Sequence, residues 1–300
     1  SSFLISLFFL FDNQKHFFFS YLTSFAYFLS ISLGSMFLIL IFALTRAGWC
    51  AVIRRAPELM MKNIGIIALL FIPLLFGLHD LYHWTHHDAV ATDVLLQLKQ
   101  PYLNVPFFVI RAILFFGIWI WLANAFFKRS IKQDETGDKS LTLENQKMST
   151  YGILLFALTL TFCSIDWFMS LTPHWFSTMF GVYFFAGSTV AALALTIILF
   201  AILKKNGLLK NIVSVEHFHD LGKLLYGFNV FWAYIAFCQY FLIWYANIPE
   251  ETEFFIHHFT GTWKSVGIVL AVGHFAIPFV LFMSRHVKRN IKLNVFFSSW

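Results

Sequence analysis

Long apolar stretches recur along this chain, separated by short segments in which Lys, Arg, Asp, Glu and His collect. Seven stand out: Phe17–Leu44, Ile64–Leu81, Pro106–Phe127, Thr150–Leu171, Phe176–Leu203, Leu225–Ala246 and Val266–Met283. Each is close to or above the ~20 residues that a helix needs to cross a hydrocarbon core of about 30 Å. None shows the ten-residue alternation of a barrel strand, so the pattern predicts helices, which satisfy their backbone groups within the segment. The first and fifth are long enough to tilt or to project past the hydrocarbon. An eighth apolar run begins at Leu293. The expected fold class is therefore all-α, a polytopic transmembrane helix bundle. Residues 1–16 form an outer segment, 17–292 the seven-helix bundle and 293–300 the start of a truncated eighth span.

Composition narrows the picture. Of 300 residues, 59% are hydrophobic and only 12% charged, and 40 are Phe. Soluble domains carry about 25% charged residues, so a cytoplasmic enzyme is excluded, and so is a disordered chain. The net charge of +6 is distributed by topology. Segments after the first, third, fifth and seventh spans hold nearly all the Lys and Arg, among them Arg54, Arg55, Lys128, Arg129, Lys204, Lys205, Arg285 and Arg289. The other side has only Lys15, Lys99 and Lys264, and Arg111 lies within a span. Cytoplasmic loops collect basic residues, which predicts an outer N-terminus and argues against nucleic acid as a partner. Ser1–Phe11 lacks a basic flank and a small-residue cleavage site, so it does not read as a signal peptide.

Candidate chemistry sits where charge is costly. Arg111 lies about 8–9 Å into the third span at 1.5 Å per residue, and Asp166 lies at similar depth near the end of the fourth. A buried ion pair is the economical reading. Such a pair either fixes helix register or handles protons or a quinone, and snorkelling of Arg111 is the remaining alternative. His274 falls in the middle of the seventh span, either as a neutral hydrogen-bonded core residue or as a proton relay. The run His79-Asp80-Leu81-Tyr82-His83-Trp84-Thr85-His86-His87 is the densest imidazole cluster. In a continuous helix His79, His83 and His87 would share one face, and with His86 they could bind metal as in a membrane di-iron desaturase or oxidase. Its expected outer location and the lack of matching boxes favour an interfacial polar belt.

The inner-facing loop Val215–Lys223 holds His219, Asp220 and Lys223, which can carry or release protons. On the other side Glu250 and Glu251 crowd just past the sixth span, where repulsion could raise a carboxyl pKa. Tyr240 belongs to an aromatic series on that span that suits an interfacial belt or a ring-stacking surface. Three scattered cysteines, Cys50, Cys163 and Cys238, offer neither a c-type haem motif nor four thiolates for an iron–sulfur cluster.

Several motifs together carry a family resemblance. They include Arg46-x2-Trp49, Arg54-Arg55 with Glu58, and Tyr102-Leu103-Asn104-x2-Phe107-Phe108-x2-Arg111. The longest are Asp166-Trp167-x-Met169-Ser170-Leu171-x-Pro173-His174-Trp175-Phe176-Ser177-Thr178, His219-Asp220-Leu221-Gly222-Lys223 and Gln239-Tyr240-x3-Trp244-Tyr245-Ala246-Asn247-Ile248-Pro249-Glu250-Glu251. In these the chain, from about Tyr21 to Arg289, resembles the F subunit of alternative complex III, a bacterial quinol:electron acceptor oxidoreductase. The resemblance implies a helical bundle related to the NrfD-type quinol-interacting subunits, in the bacterial inner membrane. It implies partners that hold the redox groups: multihaem cytochrome, iron–sulfur and NrfD-like subunits, besides lipid. It implies no cofactor bound by this chain, with quinol or menaquinol acting at the level of the complex, and no catalysis by the chain alone. The family has about ten spans, which makes Ser1–Phe11 the remnant of a preceding helix. Arg111, Asp166, His174, His219, Asp220, Lys223, Tyr240, Glu250, Glu251 and His274 are the resulting candidates for a proton path or quinone contact. A purely structural scaffold is the competing role.

Overall fold

The computed structural model describes residues 13–209 and 212–299. It is 85% helical, with no strand among the described residues. Ser1–Phe11, expected to be a helix remnant, lies outside them. Seven helical segments are long and apolar enough to cross a membrane, and the protein is a multi-pass integral membrane protein. Large side chains such as Phe76, Leu69, Ile113 and Val280 stand exposed along these helices, as a lipid-facing surface requires.

Helix α1 (Gln14–Leu44) starts where the Asn13 side chain accepts from the His16 amide. The second crossing is α2 (Arg55–Lys62) followed, past Asn63, by α3 (Ile64–Phe76). Pro73 withholds an amide from its last turns, and Tyr21 Oη donates to the nearby Leu70 carbonyl at 2.9 Å. Three short helices follow, α4 (Leu78–Leu81), α5 (His87–Thr92) and α6 (Val94–Lys99). Then come α7 (Val105–Thr136), α8 (Ser140–Trp167), α9 (Phe180–Lys205) and α10 (Val215–Ala246). Gly137, at φ 66°, ends α7 in the left-handed conformation, and Asn247 ends α10 in the same way at φ 50°. Beyond lie α11 (Pro249–His258), α12 (Trp263–Val269), a π-helical segment Leu270–Ala276, α13 (Ile277–Met283), α14 (Arg285–Arg289) and α15 (Ile291–Ser299).

Three sequence expectations change. The third, fourth and sixth crossings are as long as the first, because polar residues extend the helices beyond their apolar stretches. The segment Val215–Lys223 is the first turns of α10 rather than a loop: Ser214 and His217 form a reciprocal cap there. The helix through His79 does not continue. Tyr82 is extended and buried, drawn inward where its hydroxyl donates to the Trp167 carbonyl at 3.0 Å.

The core has two parts. One gathers α1, α3, α7 and α8 around Phe71, Phe108, Phe116, Trp119 and Trp167. The other joins α1, α9 and α10 around Leu38, Leu193, Ile197 and Phe218. Helices α1 and α9 make the most extensive contact in the bundle. Gly34 makes it possible, since a Cβ there would fall 2.0 Å from the Ser188 carbonyl oxygen and 2.9 Å from Ala192 Cβ. Close approach of backbones at small residues is how helices gain van der Waals contact in lipid, where no hydrophobic drive separates them from the solvent.

Candidate functional site

Two buried charged clusters lie near opposite ends of α7, and a mostly aromatic stretch separates them. The first is built on Asp166, in the last turn of α8 and completely buried. Its Oδ2 accepts from Arg111 Nε at 2.6 Å, and its Oδ1 from Arg111 Nη2 at 3.2 Å. Tyr102 Oη donates to the same Oδ1 at 2.8 Å. Arg111 Nη1 donates to the Tyr102 carbonyl at 2.9 Å, and its guanidinium stacks 3.9 Å from the Tyr102 ring centre and 4.3 Å from that of Phe107. A two-pronged guanidinium–carboxylate contact is the strongest arrangement available to such a pair, and the rings shield it. Asn104 fixes Tyr102 and Arg111 relative to each other by capping α7: its Oδ1 accepts from the Phe107 amide at 2.9 Å. Burial, then the negative Asp166 beside it, pushes the Tyr102 phenol well above its ordinary value, so it remains a proton donor.

Sequence reasoning placed Arg111 and Asp166 at one depth, and the structure brings them into contact. Tyr102 completes the cluster and was recognised only as part of a motif.

The second cluster centres on Glu58 in α2, which is almost completely buried. Its Oε1 lies 2.9 Å from Arg54 Nε, and its Oε2 accepts from Arg55 Nη1 and Ser130 Oγ, both at 2.8 Å. Arg54 Nη2 donates to Ser130 Oγ at 3.2 Å, and Arg55 also bonds Asp134. Nineteen residues of α7 separate Arg111 from Ser130, a rise of about 28 Å at 1.5 Å per residue. Between them Phe115, Phe116, Trp119, Phe71 and Trp167 pack ring against ring. The main polar interruption there is Trp119 Nε1 donating to Thr159 Oγ1 at 2.8 Å. Glu58 escaped the sequence reading as a site residue because it follows two arginines at the edge of an apolar run.

The remaining candidates do not join either cluster. His174 Nε2 lies 2.5 Å from Asp93 Oδ2, and Lys99 Nζ donates to the Pro173 carbonyl at 2.5 Å. These contacts tie the segment around α6 to the turn after α8. The hydrogen bond from His174 holds the Asp93 carboxyl below the usual range, and burial lowers the Lys99 ammonium from its own. On α10, His219 lies 3.8 Å from Glu216, Lys223 bonds Asp220 at 2.7 Å, and Glu216 also pairs with Arg289 at 2.6 Å. These link α10 to α14 at the end of the bundle that carries Arg54 and Arg129. Glu250 and Glu251 sit in the first turn of α11, where the helix dipole favours negative charge. Tyr240 packs edge-on to Phe255 and Phe259 of that helix region. His274 lies in the π-helical segment with its ring 4.5 Å from that of Trp232, edge to face.

The histidine cluster does not lie on the continuous helix that its spacing predicts. His79 and His86 stack at 3.8 Å between centroids, His86 Nε2 approaches the His79 carbonyl at 2.9 Å, and His83 is 5.8 Å from His86. The break at Tyr82 removes the shared helical face for His79, His83 and His87. Among the described residues, no group of three or more His, Cys, Asp or Glu is arranged to hold a metal ion. The buried Cys50 thiol, pushed up to about 11 by burial, stays protonated at neutral pH and is no nucleophile.

Compared with known proteins, the sequence matches no family model and no curated protein.

Proposed function

We propose that this protein is a membrane subunit of a quinol-oxidising electron-transport complex of the alternative complex III type. In this reading it sits in the bacterial inner membrane with its N-terminus outside, and partner subunits hold the haem and iron–sulfur groups. Its own contribution is a pair of proton half-channels. The observation that carries this reading is the placement of two buried carboxylates, Asp166 and Glu58, near the two ends of α7 with a closed aromatic stretch between them. Ionisable residues in membrane helices are costly, and where they persist they mark proton or substrate pathways. Tyr102, half-buried and donating to Asp166, is the connection from that carboxylate toward the outer surface. Arg54, Arg55 and Ser130 serve Glu58 in the same way on the basic side.

A structural scaffold is the second reading, and one observation favours it: every oxygen of Asp166 and Glu58 is already engaged, as in a static register device. Purification of the tagged chain from its native membrane under mild detergent tests the assignment to a complex. The expected result is co-elution of multihaem cytochrome and iron–sulfur subunits in fixed proportion. Isolation without haem from a membrane that retains it in other complexes would contradict the proposal.

A further inference from the structure

Helices α7 and α8 run antiparallel. The Arg129–Glu144 ion pair at 3.3 Å and the Gln133–Thr142 hydrogen bond at 2.8 Å set their register near the turn at Gly137. Further into the bundle, the Trp121 and Tyr151 rings stack across the same seam, 6.2 Å between centres and 23° from parallel. Both are about half exposed, at 47% and 48%, whereas Phe115 and Trp119 of the same helix are buried. An indole and a phenol on the outward surface of a membrane crossing mark the level where hydrocarbon meets headgroups.

The seam changes character on either side of this pair. Toward the basic end of the bundle, Lys147 lies four residues from Tyr151 and Lys128 seven from Trp121, about 6 and 10 Å of helical rise. That spacing puts each lysine on the face that carries the ring, and both lysines are exposed. Neither makes a hydrogen bond or an ion pair with another described residue. The neighbouring charges are already committed: Arg129 to Glu144, and Lys132, one turn beyond Lys128, to Asp138. Glu135 stands about 10 Å past Lys128 along α7, beyond the screening distance at physiological salt. In the other direction the seam is apolar. Gly117, one turn from Trp121, is exposed and has open space where a side chain would begin. Leu114, Leu154 and Leu158 are exposed beside it.

The unused polar groups are one-sided. An ammonium and an indole N–H can only donate, and Lys128, Lys147 and Trp121 Nε1 have no acceptor among the described residues. An occupant of the seam must therefore bring acceptors: a negative charge at the level of the lysines, a neutral acceptor at the level of the rings, and an apolar tail below.

We infer that the α7–α8 seam holds an anionic phospholipid, its phosphodiester between Lys128 and Lys147, its acyl ester at Trp121 and Tyr151, and a chain along Gly117. Basic recesses between crossing helices hold such headgroups. A zwitterionic lipid would place its own ammonium among these cations. An acidic peptide would answer the lysines but leave the apolar ledge uncovered. This inference stands on the seam and does not rest on the proposed function.

The test uses the purified full chain in phosphatidylcholine vesicles containing a small fraction of phosphatidylglycerol with a diazirine close to the glycerol. Light-induced labelling is expected on the peptides that hold Trp121 and Tyr151. Phosphatidylcholine carrying the same diazirine is expected to label them more than about tenfold less. Lys128→Gln and Lys147→Gln should each lower labelling by phosphatidylglycerol about fivefold, and together bring it to the phosphatidylcholine level. Lys205→Gln with Arg285→Gln removes two exposed cations on α9 and α14 and should leave labelling at the seam unchanged. Equal labelling by the two lipids, or an equal fall in the Lys205–Arg285 variant, would overturn the inference. So would displacement of the label by soluble oligoglutamate as strong as that by unlabelled phosphatidylglycerol, which would assign the seam to an acidic protein segment.

Discussion

Asp166 and Asn229 are two polar groups buried in the same bundle, and their surroundings differ in one respect. Asp166 is closed: Arg111 and Tyr102 occupy both its oxygens, two aromatic rings cover the guanidinium, and close-packed helices leave no room beside it. Asn229 is half closed: its amide is spent on the His274 carbonyl, its oxygen is unpaired, and a cavity of about 290 Å³ between α9, α10, α13 and α15 adjoins it. A charge in hydrocarbon cannot be left without a partner, because an unpaired ion is too costly to bury. A neutral amide oxygen can. The difference teaches where a polar group of this bundle keeps an unpaired atom and where its contacts are already complete.

The largest expected effect comes from opening the closed site. Arg111→Ala strands the Asp166 carboxylate and should cost about 3–5 kcal/mol, read as loss of folded protein in detergent thermal-unfolding assays. The double variant Arg111→Met with Asp166→Leu should recover most of that stability, since both charges are gone. If the single variant is as stable as the parent, the site is not closed. Packing gives the next contrast. Gly34→Leu drives a side chain into the Ser188 carbonyl and Ala192, a clash worth about 1–3 kcal/mol or more. Ala191→Leu on the same helix pair only fills the cavity and should be neutral or stabilising in the same assay. Asn229→Leu should cost about 1–3 kcal/mol, because it leaves the His274 carbonyl without its donor.

The seven crossings were legible in the sequence because apolar runs of this length have few other uses. Arg111 and Asp166 were legible because charge within such a run is conspicuous. Glu58 was not, since its burial depends on Ser130, 72 residues later, folding back over it. Nor was Asn229. A neutral amide inside an aromatic helix gives no charge signal, and its partner, the His274 carbonyl, lies on another helix. The polar start of α10 escaped because hydropathy marks the part of a helix in lipid and not its extension beyond. The helix through His79 was expected from its spacing, but Tyr82 found a tertiary partner in Trp167 that outweighed continuation.

The smallest expected effect lies in the tether between Asp93 and His174. The lowered Asp93 pKa means that its contribution is fully present above the ordinary carboxylate value, about 3.9, and is lost as pH falls through the depressed one. Pepsin should therefore nick residues 87–99 more readily only at the acid extreme. In Asp93→Asn that acid-dependent increase should disappear.

The central claim is that Asp166 conducts protons rather than merely holding two helices in register. Its most direct test is proton release per quinol oxidised by the purified complex carrying Asp166→Asn, normalised to haem so that only assembled complex is counted. The account predicts normal haem content with a clear fall in protons released per quinol. Proton release and turnover equal to the parent, at equal assembly, would contradict it.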